Sequence, residues 1–260
     1  MKKEVEEKLA GSLSAETAEL LPFLPYLLQD IWELGSDPDT MAELAREYLS
    51  SSGSARILDL ACGKGAVSVK IAQKLPVSIK GFDLIPDFIQ FARQKAQEYN
   101  VDTLCEFIVG DINEVVKNET NYDLVILGGV GDVLGSPAET LEKLKKTVKT
   151  GGYILIDECY LSEDGTQEQL QYTGHEYLTE KQWETLFEEA GFELVKTVPA
   201  SDLDIDSNSE TAVITQRANE LIAKYPEKSE LFEDYIRSQE SESYDLDNSI
   251  VAVVWVLKKL

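Results

Sequence analysis

From Arg56 to Asp157, short runs of β-branched and aliphatic residues alternate with stretches whose apolar positions recur every three or four residues. The first pattern suits buried strands and the second amphipathic helices, so their alternation predicts a parallel sheet with helices on both faces. Strands are expected near 56–60, 78–83, 105–109, 123–128 and 152–157. Helices fit at 65–74, 86–99 and 137–149, with Pro86 and Pro137 at first-turn positions and Gly151-Gly152 closing the third. Beyond them, Thr179-Glu180-Lys181-Gln182 reads as a capping box opening a helix over 179–190, and Gly191 leads into a strand over 192–198. The last run, 250–257, is almost continuously apolar and rich in valine, which predicts a strand buried on both faces inside the sheet.

Two segments fall outside this alternation. Residues 1–50 read as helices, with an apolar patch at 20–28 broken by Pro22 and Pro25. Residues 202–248 interrupt the last two strands and carry two helical patterns, Ala212, Val213, Leu221, Ile222 and then Leu231, Phe232, Tyr235, Ile236. The expected architecture is therefore α/β: a seven-stranded, mostly parallel sheet with helices on both faces, plus amino-terminal helices and a helical insertion between the last two strands. Its parts are a cap over 1–50, a core over 51–201 and 249–260, and an insertion over 202–248 that is a candidate lid, packing appendage or dimer contact.

Composition narrows the partners. A chain of 260 residues, 43% of them hydrophobic, can bury a full core. Its formal charge of −24 opposes phosphate backbones and anionic membrane surfaces, so no nucleic-acid or membrane partner is expected. Cys62, Cys105 and Cys159 are too scattered for a disulfide framework or a zinc site. With a charged amino terminus and no apolar run of spanning length, the expected location is the cytoplasm.

The most informative local feature is Asp59-Leu60-Ala61-Cys62-Gly63-Lys64-Gly65, a strand that ends on a carboxylate and turns through two glycines into a helix. Such a turn exposes backbone groups to a ligand. Asp83 closes the second strand twenty residues after Gly63, and Asp111 follows the third in Gly110-Asp111. With Tyr122-Asp123-Leu124-Val125-Ile126-Leu127 and the segment from Leu144 to Asp157, this series resembles the successive motifs of class I S-adenosylmethionine-dependent methyltransferases, over roughly residues 55–200. The resemblance implies a Rossmann-like fold and S-adenosylmethionine as cofactor. It also implies that Gly63 and Gly65 lie against the methionine part, Asp83 with Leu84 at the ribose hydroxyls, and Asp111 with Ile112 at the adenine. Leu127 and Gly128 would line the cofactor and the acceptor entrance, and Asp59 and Ala61 complete the set, Ala61 standing where many relatives have glycine. A nicotinamide-binding enzyme fits less well: its pyrophosphate would meet Asp59, and Ser68 occupies the third glycine position of its fingerprint.

Methyl transfer from a sulfonium needs alignment and exclusion of water more than catalytic side chains, and a base only for a protonated acceptor. The candidates beside the methyl position are Asp157, Glu158 and Tyr160 after the fifth strand, the loop Gly128-Gly129-Val130-Gly131-Asp132, and His175, the one histidine. Nothing fixes a metal-ligand spacing among Asp132, Asp157 and Glu158, and no metal is expected. Tyr26, Trp32, Tyr172, Tyr177 and Trp183 are candidates for an aromatic acceptor pocket, with Trp32-Glu33-Leu34-Gly35 the preferred lid contact. The chain lacks the Asn/Asp-Pro-Pro-Tyr/Phe motif of amino-directed nucleic-acid and glutamine methyltransferases, so the expected acceptor is a small molecule. A non-catalytic binder of the cofactor or its product stays open as the alternative, as does a homodimer through the helical additions.

Overall fold

The structure, a computed structural model, describes residues 3–49, 54–199 and 207–260. The expected domain boundaries at 50/51 and 201/202 lie outside them. Seven strands form one sheet: β1 (Arg56–Leu60), β2 (Ser78–Asp83), β3 (Cys105–Val109), β4 (Tyr122–Gly128), β5 (Val148–Leu161), β6 (Phe192–Pro199) and β7 (Ile250–Lys259). Their order is β3-β2-β1-β4-β5-β7-β6, parallel except for β7, which is antiparallel to both its neighbours. The valine-rich last run thus lies inside the sheet, as its unbroken hydrophobicity requires.

The helices α1 (Lys3–Gly11), α2 (Leu24–Leu27), α3 (Pro38–Tyr48), α4 (Ala66–Lys74), α5 (Pro86–Glu98), α6 (Ile112–Asn118), α7 (Pro137–Thr147), α8 (Glu180–Glu189), α9 (Ser207–Lys224) and α10 (Ser229–Asn248) complete the order. Helices α3, α4 and α5 cover one face around Met41, Val69, Ile89 and Phe107, and α6, α7 and α8 cover the other around Val116, Leu141, Leu144 and Phe187. The capping box at Thr179 and Gln182 forms as expected. Helix α6 was not anticipated; Asp111 caps it, and Ile112, Val115 and Val116 bury one face of its two turns. Strand β5 is longer than expected because β7 pairs with it from Tyr153 through Leu161.

A third core lies away from the two sheet faces. Leu20, Leu24, Leu27, Leu28 and Ile31 of the amino-terminal segment pack with Ile214, Ala218, Leu221, Phe232 and Tyr235 of α9 and α10, closing on Ile85 and Phe88. The two prolines shape this segment without interrupting its burial: Pro22 sits in a 3-10 turn over Ala18–Phe23 and Pro25 in the first turn of α2.

The bend between β1 and α4 is held by left-handed backbone at Ala61 (φ 58°), Gly63 (φ 52°) and Gly65 (φ 75°). Gly65 is doubly required, since a Cβ there would stand 2.8 Å from both Ala92 and Phe107. Ala61 adopts the same region with a side chain, at a cost of about 1 kcal/mol. The lysine of the bend turns away from the strand ends. The Lys64 ammonium, 4% exposed, donates to the carbonyls of Leu28 and Ile31 and lies over Phe88 and Phe91, while Trp32 Nε1 donates back to the Lys64 carbonyl at 3.1 Å. Desolvation lowers its pKa to about 8. One side chain thus fastens the amino-terminal segment to the glycine bend.

Two substitutions test this arrangement. Ala61→Gly is expected to raise stability in urea by about 0.5–1 kcal/mol, because glycine takes the left-handed region without a Cβ clash. Lys64→Met keeps the stem but leaves two carbonyls without their donor; the expected loss is about 1–3 kcal/mol, with faster proteolysis between residues 12 and 37. An unchanged midpoint and cleavage pattern for Lys64→Met would show that the latch carries no load.

Candidate active site

Strands β1 and β4 are neighbours although they are not consecutive, so the strand order reverses between them, and an open α/β sheet binds its ligands outside the carboxyl ends at such a point. The glycine bend occupies that position. Asp59 is 4% exposed and accepts from Ser68 Oγ at 2.6 Å, so the residue at the fingerprint's third glycine position instead hydrogen-bonds to the strand-end carboxylate. Asp83 accepts from Gly63 N and from Ile85 N, each at 2.9 Å, and so ties the bend to the tip of β2. Burial pushes the carboxyls of Asp59 and Asp83 up to about 6 each, although hydrogen bonds from Ser68 and from backbone N–H groups pull the other way. Among the described residues no lysine or arginine pairs with either. Asp111 accepts from Asn113 N at 2.9 Å as the cap of α6, and its neighbour Ile112 is buried; Leu84 is half-buried beyond Asp83.

The amino-terminal segment covers these strand ends. A Cβ on Gly63 would stand 3.6 Å from Leu34 Cδ1, one on Gly35 would stand 3.7 Å from Gly129 Cα, and one on Gly128 would strike Ser36 Oγ. Residues 34–36 therefore pass over the bend and over the end of β4, where Leu127 is buried and Gly128 pairs with Asp157. Trp32 stacks on Tyr99 at 5.3 Å beside them. Of the segment Trp32-Glu33-Leu34-Gly35, Leu34 and Gly35 lie over the strand ends together with Ser36.

Past β4 and β5 lies the second half of the site. Asp157 hydrogen-bonds Ser36, and burial pushes its carboxyl up to about 7. Burial likewise raises Glu158, against the opposing field of His175. His175 Nδ1 lies 3.3 Å from Asp132 Oδ2, and its ring meets Tyr177 edge-on at 4.6 Å. Desolvation lowers the imidazole pKa, but the Asp132 hydrogen bond and the charges of Glu158, Asp132 and Glu242 outweigh it, leaving His175 above the ordinary histidine value. The structure thus brings Asp132, Glu158 and His175 together from three separate segments.

The aromatic candidates divide. Tyr172 and Tyr177 stand with His175, whereas Trp183 belongs to the core beneath α8, packed on Phe187 and Trp255 with its indole N–H unpaired. Tyr160 also stacks on Trp255, and Tyr26 is a surface residue bonded to Glu220; these three leave the acceptor side. Sequence reasoning missed Lys64, Ser36 and Glu242. Lys64 and Ser36 act through contacts with distant segments, and Glu242 sits among ordinary acidic residues of a helical pattern, so spacing alone carried no signal for them. Among the described residues no group of histidines, cysteines and carboxylates is arranged to hold a metal ion, and no helix is long and apolar enough to cross a membrane.

These residues fit a cationic ligand. Carboxylates are desolvated around a glycine bend whose own lysine is turned away and satisfied elsewhere, and a sulfonium with an α-amino group supplies the missing positive charge. Comparison with known proteins agrees. A family profile described as a methyltransferase domain matches residues 51–191. The chain is 32% identical over 137 residues to an uncharacterized RNA methyltransferase of Clostridium tetani, covering 47% of this chain and 30% of that protein. It is 33% identical over 101 residues to a malonyl-[acyl-carrier protein] O-methyltransferase of Priestia megaterium, covering 38% and 35%. The chain thus spans about a third of the length of these two relatives. A solved S-adenosylmethionine-dependent methyltransferase of Thiobacillus denitrificans, in complex with S-adenosylhomocysteine, shares the fold with TM-score 0.75 at 21% identity, over 92% of this chain and 98% of that one. With more than half its length matched by that profile, the chain belongs to the methyltransferase-domain family.

Proposed function

We propose that the chain is a class I S-adenosylmethionine-dependent methyltransferase, that it methylates a small-molecule acceptor held between the end of β5, the amino-terminal cap and the 202–248 insertion, and that it works in the cytoplasm. The supporting observation is the set of desolvated, cation-free carboxylates of β1, β2 and β5, with Asp59 and Asp83 buried beside the glycine bend and Asp157 half-buried beside Gly128. In this reading Asp83, with Leu84, receives the ribose hydroxyls on oxygens that already order the Gly63 and Ile85 amides. Asp111 and Ile112 flank the adenine. Ala61, Gly63 and Gly65 keep the bend low enough for backbone approach, Asp59 faces the cationic end, and Leu127 and Gly128 line the passage to the acceptor. When bound, the cofactor supplies a methyl carbon already attached to a positively charged leaving group. The chain's own residues align the acceptor and exclude water: Leu34, Gly35 and Ser36 close the strand ends, and Asp157, Glu158 and His175 bind the acceptor or take its proton.

The charge of −24 supports a small molecule over a nucleic acid, even though one matched relative carries an RNA methyltransferase name. Incubation with labelled donor and a small-molecule extract tests the reading. Transfer of label to a metabolite supports it, and transfer only to RNA, or binding without transfer to any acceptor, defeats it.

Asp83→Ala is expected to weaken S-adenosylhomocysteine binding by about 1.5–3 kcal/mol, or roughly 10–150-fold, by calorimetry. Asp83→Asn, which keeps one oxygen for the backbone, should be as weak in binding and closer to wild type in stability. Unchanged affinity in both would remove Asp83 from the ribose site. The pH dependence has a definite sign. Asp59 and Asp83 titrate in the folded chain at about 6 and Asp157 at about 7, all above the ordinary 3.8. Their raised values stabilise the ligand-free fold fully below the ordinary carboxylate range, and that stability is lost as pH rises through 6 and 7. The urea midpoint of ligand-free protein should therefore fall between about pH 5 and about pH 7.5, while affinity for the cationic cofactor rises over the same interval. A flat affinity profile would contradict the placement of charge.

A further inference from the structure

We propose that the acceptor is a small molecule carrying a protonated amine, received where α10, the 162–178 segment and the end of β5 meet, and that its nitrogen is the atom methylated. This rests on the reading that the glycine bend holds the methyl donor.

This junction is built. Asp245 of α10, fully buried, accepts from the backbone N–H of Gln171 at 3.0 Å and of Tyr172 at 2.7 Å, which fastens the 162–178 segment to the insertion. Within that segment the Gln167 side chain holds the carbonyl of His175 and the amide of Tyr177, each at 3.0 Å. The amino-terminal cap joins in, because Ser14 donates to Glu242 of α10 and Tyr172 Oη reaches the Gly11 carbonyl at 3.5 Å. Three segments far apart in the chain thus converge on His175.

What meets there is negative and aromatic. Glu158, Glu242 and Asp132 all act on His175, Asp157 adjoins Glu158, and among the described residues no lysine or arginine forms an ion pair with Asp157, Glu158 or Glu242. The hydroxyls of Tyr177 and Tyr235 add a second observation. These residues are only 8% and 2% exposed, and neither hydroxyl has a hydrogen-bond partner among the described residues. Nor are they among the sealed, unpaired polar atoms of the interior, which are the indole nitrogens of Trp183 and Trp255. Both lie within the field of Glu242 and Tyr172. Buried hydroxyls are hydrogen-bonded as a rule, and buried carboxylates are paired, so such a lining calls for a donor-rich cation. An ammonium group satisfies both, and the tyrosine faces favour it further. An anionic acceptor would meet repulsion from four carboxylates.

The chemistry balances. With its Nδ1 3.3 Å from Asp132 Oδ2, a neutral His175 protonated on Nδ1 would present Nε2 as the proton acceptor. The ammonium gives its proton to Nε2, and the freed nitrogen lone pair forms the bond to the methyl carbon. The methyl–sulfur bond breaks with its electron pair left on sulfur, and the methylated nitrogen takes up the positive charge that sulfur loses. The groups that set the pH response of this step are those facing His175, namely Asp132, Glu158 and Glu242, with Tyr172, Tyr177 and Cys159 around them.

The test uses the full chain with two probes. Phenethylamine is expected to bind the protein saturated with S-adenosylhomocysteine about tenfold or more tightly than phenethyl alcohol, by calorimetry. Label from the donor, offered with a small-molecule extract, should appear in products that a cation exchanger retains at neutral pH. Glu242→Gln should weaken the amine about tenfold while leaving S-adenosylhomocysteine affinity in place. Because its hydroxyl has no hydrogen-bond partner among the described residues, Tyr235→Phe should keep the thermal midpoint and still weaken the amine several-fold. Label confined to neutral or anionic products, or equal binding of amine and alcohol, overturns the amine assignment. Failure to bind S-adenosylhomocysteine at all overturns the donor reading beneath it.

Discussion

The constraint on which this molecule turns is the cost of carrying ionised carboxylates out of water with no cation beside them. Parallel strands converge their carboxyl ends on one edge of the sheet, and here three of them carry aspartates, Asp59 and Asp83 buried and Asp157 half-buried. Serine and backbone N–H groups offset part of the penalty. The remainder is held as a shifted titration and not relieved by an ion pair. A fold that needed only stability would place leucine or asparagine at these positions. Keeping aspartate leaves the edge poised for a ligand that brings its own positive charge, and the same reasoning extends across β5 to Glu158 and Glu242.

Much of the frame was legible because its signals are local. The runs at 78–83 and 105–109 match β2 and β3, and the run at 250–257 announced an interior strand by its lack of a polar face. The glycine bend was legible for a similar reason: left-handed backbone at Gly63 and Gly65 leaves a residue-type signature. Helix α6 escaped notice because two turns offer too few positions for a period to show, although Asp111 before Ile112, Val115 and Val116 is the mark of a capped amphipathic start.

The site was legible in its carboxylates and not in its closure. Asp59, Asp83 and Asp157 stand where strand ends put them, but Lys64 meets the carbonyls of Leu28 and Ile31 only once the chain has folded back. Within the motif, a lysine between two glycines reads as solvated. Its burial follows from the third core, which draws residues 20–31 onto the insertion and leaves their carbonyls over the bend. His175 has the same logic. Its position in the chain marks a loop, while its partner Asp132 comes from the end of a different strand.

The interior place of β7 has a consequence for assembly. Strand β6 reaches the rest of the sheet only through β7, and β7 follows both helices of the insertion in chain order. The loop that must close before β5 and β7 can pair therefore spans α8, β6, α9 and α10 together. Closing so long a loop costs entropy before any pairing rewards it, which slows the late stage of folding. Until residues 250–259 arrive, the flank of β5 that carries Asp157 and Glu158 lacks its final neighbour. The flank of β5 therefore matures after the glycine bend, and a nascent chain holds one finished sheet edge beside an unfinished one.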